Sequence, residues 1–135
     1  MTKIKGSTVL ITGGASGIGK LMGEACLYKG ASRLIIWDVN EKALKSVSKD
    51  LRDKGHQVHA YKVNVADVAD VESAAYTVLE DLGSVDVLFN NAGIVVGKDF
   101  ADHTHEDIQR TIDINVGGVM HVALEFLSSM LERKQ

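Results

Sequence analysis

Thr12-Gly13-Gly14-Ala15-Ser16-Gly17-Ile18-Gly19 is the stretch on which the reading of this chain turns. An apolar run, Val9-Leu10-Ile11, leads into it, and Ile18, Leu21, Met22 and Ala25 lead out at helical spacing. The pattern predicts a strand, a glycine-rich turn and a helix. A helix N-terminus presents N–H groups without intrahelical partners and a partial positive charge, so it favours a phosphate placed there. Glycines suit such a turn because a side chain would block a diphosphate, and because they reach backbone angles that other residues avoid. The same glycines would also serve a tight turn that only saves space. Residues further along have to separate the two readings.

Working outward, strand and helix patterns alternate four times. The first strand is predicted over Thr8 to Thr12, and its helix over Gly17 to Lys29 with Gly30 as C-terminal cap. Arg33-Leu34-Ile35-Ile36-Trp37-Asp38 is a continuous apolar run ending in an acid, which fits a parallel strand covered on both faces. Asn40 then caps a helix with the stripe Leu44, Val47 and Leu51, ending at Gly55. A third strand passes through Val58, Ala60, Tyr61 and Val63. Asp67 caps the next helix, whose buried face is read as Val68, Val71, Ala75, Val78, Leu79 and Leu82, with Gly83 ending it. The fourth strand is Val85 to Phe89, running into Asn90-Asn91-Ala92-Gly93. Thr104-His105-Glu106-Asp107 resembles a capping box opening one long helix through Ile108, Ile112, Asn115, Val119, Val122, Phe126 and Met130, with 131–135 as its last turn. Such alternation predicts an α/β fold: a Rossmann-type, doubly wound parallel sheet in a single domain over 1–135.

Bulk properties narrow the function. At 135 residues, 45% hydrophobic and net charge -3, the sequence reads as one soluble globular domain. No basic block points to nucleic acid, and the mild acidity argues against attraction to a membrane surface. The longest apolar runs are strand-length, so no membrane span is expected, and Met1 to Gly6 lacks a signal-peptide core. Cys26, the only cysteine, is read as a packing residue, and a cytoplasmic location is expected. His103 and His105 with Asp102 and Asp107 are read as loop and cap rather than metal ligands, and Lys98 and Asp99 as a solvated loop.

Asp38 lies at the end of the second strand, 19 residues after Gly19. In a dinucleotide-binding arrangement that spacing sets an acid against the adenine ribose, where it accepts hydrogen bonds from the hydroxyls. A 2′-phosphate would meet its charge, and neither Val39 nor Ser16 supplies a cation there, so NAD is expected over NADP. The alternative is that Asp38 only starts the turn Asp38-Val39-Asn40.

Taken together, the glycine motif at 12–19, Asp38, Asn64-Val65, Asn90-Asn91-Ala92-Gly93 and Asn115 resemble a short-chain dehydrogenase/reductase along essentially the whole chain. Trp37-Asp38-Val39-Asn40 and the segment 91–98 look closest to the branch acting on retinoid, sterol or other lipid-like alcohols. The resemblance assigns Gly13, Gly17 and Gly19 to the diphosphate, with Ser16 and Ile18 beside it, and Asp38 to the ribose. Asn64 and Val65 match the pair near the adenine, although that family more often has Asp in place of Asn64. Asn90, Ala92 and Gly93 match the segment that passes the nicotinamide ribose. Asn115 matches a helix asparagine whose backbone helps hold a proton-relay water; otherwise it is a satisfied amide on an apolar helix.

The family also uses a Ser and a Tyr-x-x-x-Lys that follow the long helix. No such motif occurs among the 135 residues: Tyr28, Tyr61 and Tyr76 all lack Lys four residues later. The resemblance therefore implies the cofactor-binding half of an NAD(H)-dependent alcohol dehydrogenase or ketone reductase, inactive alone, with Asn115 the one catalytic-type residue. The competing readings are a non-catalytic NAD-binding or protein-interaction module, and a chain whose site no longer forms. If the sheet stops at the fourth strand, its open edge and one face of the long helix are expected to drive association.

Overall fold

Side-chain alternation along the strands decides which helix packs where. The computed structural model describes residues 2–133. In chain order it has β1 (Thr8–Thr12), α1 (Gly17–Tyr28), β2 (Arg33–Asp38), α2 (Glu41–Asp53), β3 (Val58–Lys62), α3 (Val68–Leu82) and β4 (Val87–Phe89). A short 3-10 turn at Phe100–Asp102 then precedes α4 (His105–Ile112), a π-helical stretch (Asp113–Gly118) and α5 (Val119–Glu132). The four strands form one parallel sheet in the order β3-β2-β1-β4. Val9, Ile11, Leu34, Ile36 and Val58 face α1 and α2, whereas Leu10, Ile35 and Trp37 face α3 and α5. Both faces are covered, so the sheet is doubly wound as the alternation predicts.

Most boundaries fall where local chemistry puts them. The Asn40 side chain accepts from the Ala43 N–H and Asp67 from Asp70 N–H, each capping its helix. Gly30, Gly55 and Gly83 follow α1, α2 and α3 with φ of +88°, +91° and +79°, a region in which a Cβ is strained. The first helix ends at Tyr28, with Lys29 as its cap residue.

Four expectations need correction. The buried face of α1 is Gly19, Gly23, Cys26 and Leu27, whereas Ile18 and Leu21 are exposed. Glycines let the helix approach the sheet so closely that a Cβ on Gly23 would lie 3.0 Å from Leu34 Cδ2. Hydrophobicity alone picks the wrong stripe here. Val68, at the start of α3, is 45% exposed, since it lies in the first turn beyond the sheet's cover. The fourth strand pairs only over Val87–Phe89, not from Val85. Asp86 explains this: its Oδ2 accepts from the Thr8 N–H at 2.8 Å, taking the place of a ladder carbonyl. Val85 is nonetheless fully buried.

The fourth correction concerns the long helix. It is divided by the π-helical stretch, and of the stripe read from the sequence only Val122 and Phe126 are fully buried. Ile108, Ile112 and Val119 are exposed, and residues 134 and 135 of the expected last turn lie outside the described residues. Phe126 packs on Trp37 with ring centroids 5.6 Å apart. The continuous helical run 105–132 contains an 18-residue window with a mean hydropathy of 1.4 and is long and apolar enough to cross a membrane by length and composition, contrary to the strand-length reading. A core helix passes the same test, and Val122 and Phe126 hold this one on the sheet. Arg133 adds an ion pair to Asp86 at 2.5 Å.

Candidate functional site

The strand order sets the C-terminal ends of β3, β2, β1 and β4 in a row, spaced by about 5 Å from one to the next. A crevice outside the carboxyl ends of a parallel sheet is where such folds bind ligands. Here it is a groove of about 430 Å³. Seven of the residues predicted from sequence line it: Asn64 and Val65 after β3, Asp38 at β2, Gly13 and Ser16 after β1, and Ala92 and Gly93 after β4.

Gly17, Ile18 and Gly19 do not line the groove but form the first turn of α1 beside it. This N-terminus differs from the others. Side chains of Asn40, Asp67 and Thr104 cap α2, α3 and α4, whereas Ser16 makes no side-chain cap on α1 and its first turn holds no acid. Its N–H groups and positive end are thus left for an external anion. The turn also leaves no room for side chains: a Cβ on Gly19 would lie 2.2 Å from the Gly13 carbonyl oxygen, and Gly13 itself has φ +66°.

Asp38 makes the turn that one of its readings expects, and it lines the groove. Its Oδ1 accepts from the Asn40 N–H at 3.0 Å, forming the turn, and its Oδ2 accepts from the Ala15 N–H at 3.1 Å. Each carboxylate oxygen keeps a second lone pair, and the residue lines the groove, so the turn bonds orient the acid rather than use it up. Asn64 is held similarly. Its N–H donates to Asp70 Oδ2 at 2.7 Å and its own Oδ1 accepts from the Ala66 N–H at 3.0 Å.

At the β4 end the asparagines act as ties. Asn90 Nδ2 donates to the Val119 carbonyl at 3.2 Å, so Asn90 faces α5 and not the groove. Asn91, which the sequence reading left without a role, donates through Nδ2 to the carbonyls of Thr12 and Gly13. Thr12 Oγ1 in turn accepts the N–H groups of Asn91 and Ala92, both at 3.0 Å. Thr12 and Asn91 therefore clamp the glycine turn to the loop after β4. The hydroxyl at the end of an apolar strand was the one signal for this. Asn115 lies in the π-helical stretch, and its amide makes two 2.8 Å bonds with the backbone N–H and carbonyl of Ile94. It is a satisfied amide that fixes the loop after β4, and π-helical turns of this kind favour functional sites.

Lys98 is not free in solvent as expected: its Nζ lies 2.6 Å from Asp107 Oδ2. That contact, with the capping-box bonds to Thr104, brings the Asp107 carboxyl down to about 2. The loop after β4 is so fastened to the π-helical stretch at Ile94 and to α4 at Lys98. His103 Nδ1 contacts the Asp99 carbonyl, and Asp107 closes the capping box, so these groups do serve loop and cap. Among the described residues no cluster of His, Cys, Asp or Glu forms a metal site.

Sequence reasoning missed Arg110, Val39, Ile94 and Ile114 on the walls of the groove. Arg110 and Ile114 come from α4 and the π-helical stretch, more than forty residues from Asn64 and Val65, and only folding brings them there. Among the described residues, Arg110 and Asp38 are the only charged ones lining it.

A family model described as short chain dehydrogenase matches residues 7–135. Oxidoreductase UcpA of Salmonella typhimurium is 37% identical over 134 residues, covering 99% of this chain and 50% of that protein. Human epidermal retinol dehydrogenase 2 is 35% identical over 129 residues, covering 95% of this chain and 41% of that protein. Among solved structures, a short chain dehydrogenase/reductase from Burkholderia phymatum in complex with NAD has a TM-score of 0.92 at 32% identity, covering 100% of this chain and 48% of that one. A blue fluorescent protein from a metagenomic library, in complex with NADPH, has a TM-score of 0.85 at 30% identity, covering 95% and 53%. The chain spans about half the length of the curated relatives it matches. With its glycine turn, strand-end acid and clamped β4 loop set along one groove, the chain belongs to the short-chain dehydrogenase family.

Proposed function

We propose that this chain binds NAD(H) across the ends of β3, β2, β1 and β4 and serves a hydride transfer between the nicotinamide and an alcohol or ketone. The observation that carries this is the order of groups in the groove: Asn64 and Val65, then Asp38, then Gly13 and Ser16 beside the uncapped α1, then Ala92 and Gly93. When bound, the dinucleotide supplies the hydride donor or acceptor at its nicotinamide ring. The chain's own part is to orient the ribose through Asp38, receive the diphosphate at the α1 N-terminus and hold the loop after β4 in place through Asn91 and Asn115. Preference for NAD over NADP rests on the negative charge of Asp38 in the groove. A lipid-like alcohol is the favoured substrate class, supported by the 35% identity to the human retinol dehydrogenase.

No Tyr-x-x-x-Lys occurs in the sequence, so the 135 residues alone are proposed to bind cofactor without turnover. Association is proposed through the edge of β4 and the exposed apolar face of α5, where Met120, Leu124, Leu127 and Leu131 stand in solvent.

Titration with NADH and NADPH, followed by cofactor fluorescence, tests the binding. Saturable binding is expected, about tenfold tighter for NADH, with the preference lost in Asp38→Ala. Equal affinity for the two cofactors in the unaltered chain would remove the role given to Asp38; no binding of either would remove the whole reading.

A further inference from the structure

Backbone conformation does not require a glycine at position 118. Gly118 ends the π-helical stretch with φ -56° and ψ -43°, an ordinary helical geometry in which alanine is the more favourable residue. What the position requires is space. A Cβ there would lie 2.6 Å from Val65 Cγ2 and 3.1 Å from Val65 Cβ. Valine is stiff at χ1, and turning it leaves the Cβ contact as it was. Gly117, one residue earlier, differs: a Cβ on it would have His121 Nε2 at 3.5 Å as its nearest neighbour, an ordinary contact.

Both sides of that contact are anchored. The Val65 backbone runs between two tied residues: Asn64 N–H donates to Asp70 Oδ2 at 2.7 Å, and Ala66 N–H donates to Asn64 Oδ1 at 3.0 Å. On the other side, Asn115 holds the π-helical stretch to Ile94 by two bonds of 2.8 Å. The stretch therefore spans the groove's two loops, meeting the one after β3 through Gly118 and the one after β4 through Asn115. Val65 and Ile114, on opposite sides of the contact, both line the groove. Ile114 also shares a cavity with Asn64 and Ala66, which sets it at the β3 end.

We propose that Gly118 is a positioning residue for the β3 end of the groove. Its missing side chain lets the π-helical stretch close on Val65, and that closure sets the fit of the adenosine half of the dinucleotide. An added methyl has to displace Val65 or carry Ile114 away from it, and either movement changes the groove wall. The inference rests on the dinucleotide reading of the groove.

The test follows NADH by nicotinamide fluorescence and ADP-ribose by its displacement of NADH, on the 135-residue chain. Gly118→Ala should raise both Kd values about tenfold with the number of sites unchanged, and Gly117→Ala should move neither by more than about twofold. A chain that is only less stable would instead show fewer sites at the same Kd. Val65→Ala removes the 2.6 Å contact, so adding Gly118→Ala in that background should change either Kd by less than about threefold. This second pair carries the test if Gly118→Ala alone does not fold; a double variant that also fails to fold overturns the proposal. So does an unchanged Kd in Gly118→Ala, or an ADP-ribose Kd that stays put while NADH weakens. An equal loss in Gly117→Ala, or one undiminished in the Val65→Ala background, overturns it too. Each of these outcomes leaves the NAD site standing. Absence of NADH binding in the unaltered chain overturns the reading of the groove and this inference with it.

Discussion

The β1–β3 half and the segment from β4 onward are built to different standards. In the first, Val9, Leu10, Ile11, Leu34, Ile35, Ile36 and Trp37 are all fully buried, and two capped helices and one glycine-rich one cover the strands. In the second, β4 has three paired residues and α5 is held chiefly by Val122 and Phe126. Five of the large apolar side chains of α5 stand exposed. The difference teaches where stability ends and function begins. The β1–β3 half is a finished core, while the segment after β4 is a set of ties (Asn91 to Gly13, Asn115 to Ile94, Lys98 to Asp107) that position loops without burying much surface.

Phe126 is the sharpest place to break that contrast. Phe126→Ala should cost about 4 kcal/mol of local stability, because a fully buried ring leaves a cavity against Trp37. Hydrogen exchange should show α5 amides opening while those of β1 and β2 stay protected. Simultaneous loss of protection in both would mean the halves fold as one unit. Leu124→Glu, at a position 71% exposed, should change stability by under about 0.5 kcal/mol yet lower association in light scattering. An unchanged molar mass would place the contact elsewhere or nowhere.

Gly19→Ala comes next in size. The added methyl would press on the Gly13 carbonyl, so the helix start must shift, at a cost of about 2–3 kcal/mol. NADH binding should fall with it, whereas Gly55→Ala, at a turn with open space, should lower stability through its φ of +91° yet leave binding intact. Equal effects of the two on binding would undo the assignment of the phosphate site.

The smallest effect is one of pH, and it belongs to the finished half. Burial, then the charges of Arg33 and Arg52, lowers the His59 pKa from 6.5. Between that lowered value and about 6.5 the unfolded chain binds more protons than the folded one, so stability rises with pH through this window and falls as pH drops. Melts of His59→Gln should show a shallower decline below about pH 6.5 than the unaltered chain. Parallel curves would mean His59 is not the group responsible.

Much of this was legible without coordinates, for a definite reason. Strand ends, caps and glycine stops depend on residues within four or five positions of each other, so Asn40, Asp67, Gly30 and Gly83 announce themselves. The capping box of Thr104 and Asp107 is equally local. What failed were choices settled by distant atoms. The face of α1 is chosen by how close Leu34 and the glycine turn come, and the first rung of β4 by Asp86 bonding across to Thr8.

Periodicity in the sequence by itself determined the class of fold, because it is a property of the chain's own geometry, and the resemblance of its motifs to a family singled out seven of the groove's residues. Only the tertiary structure decided that Asn90 turns to α5, that Asn91 and Thr12 clamp the glycine turn, and that Arg110 joins Asp38 in the lining of the groove. Those contacts join residues from 29 to 80 positions apart, and no local pattern encodes which side chain will be within hydrogen-bond distance once the sheet has closed.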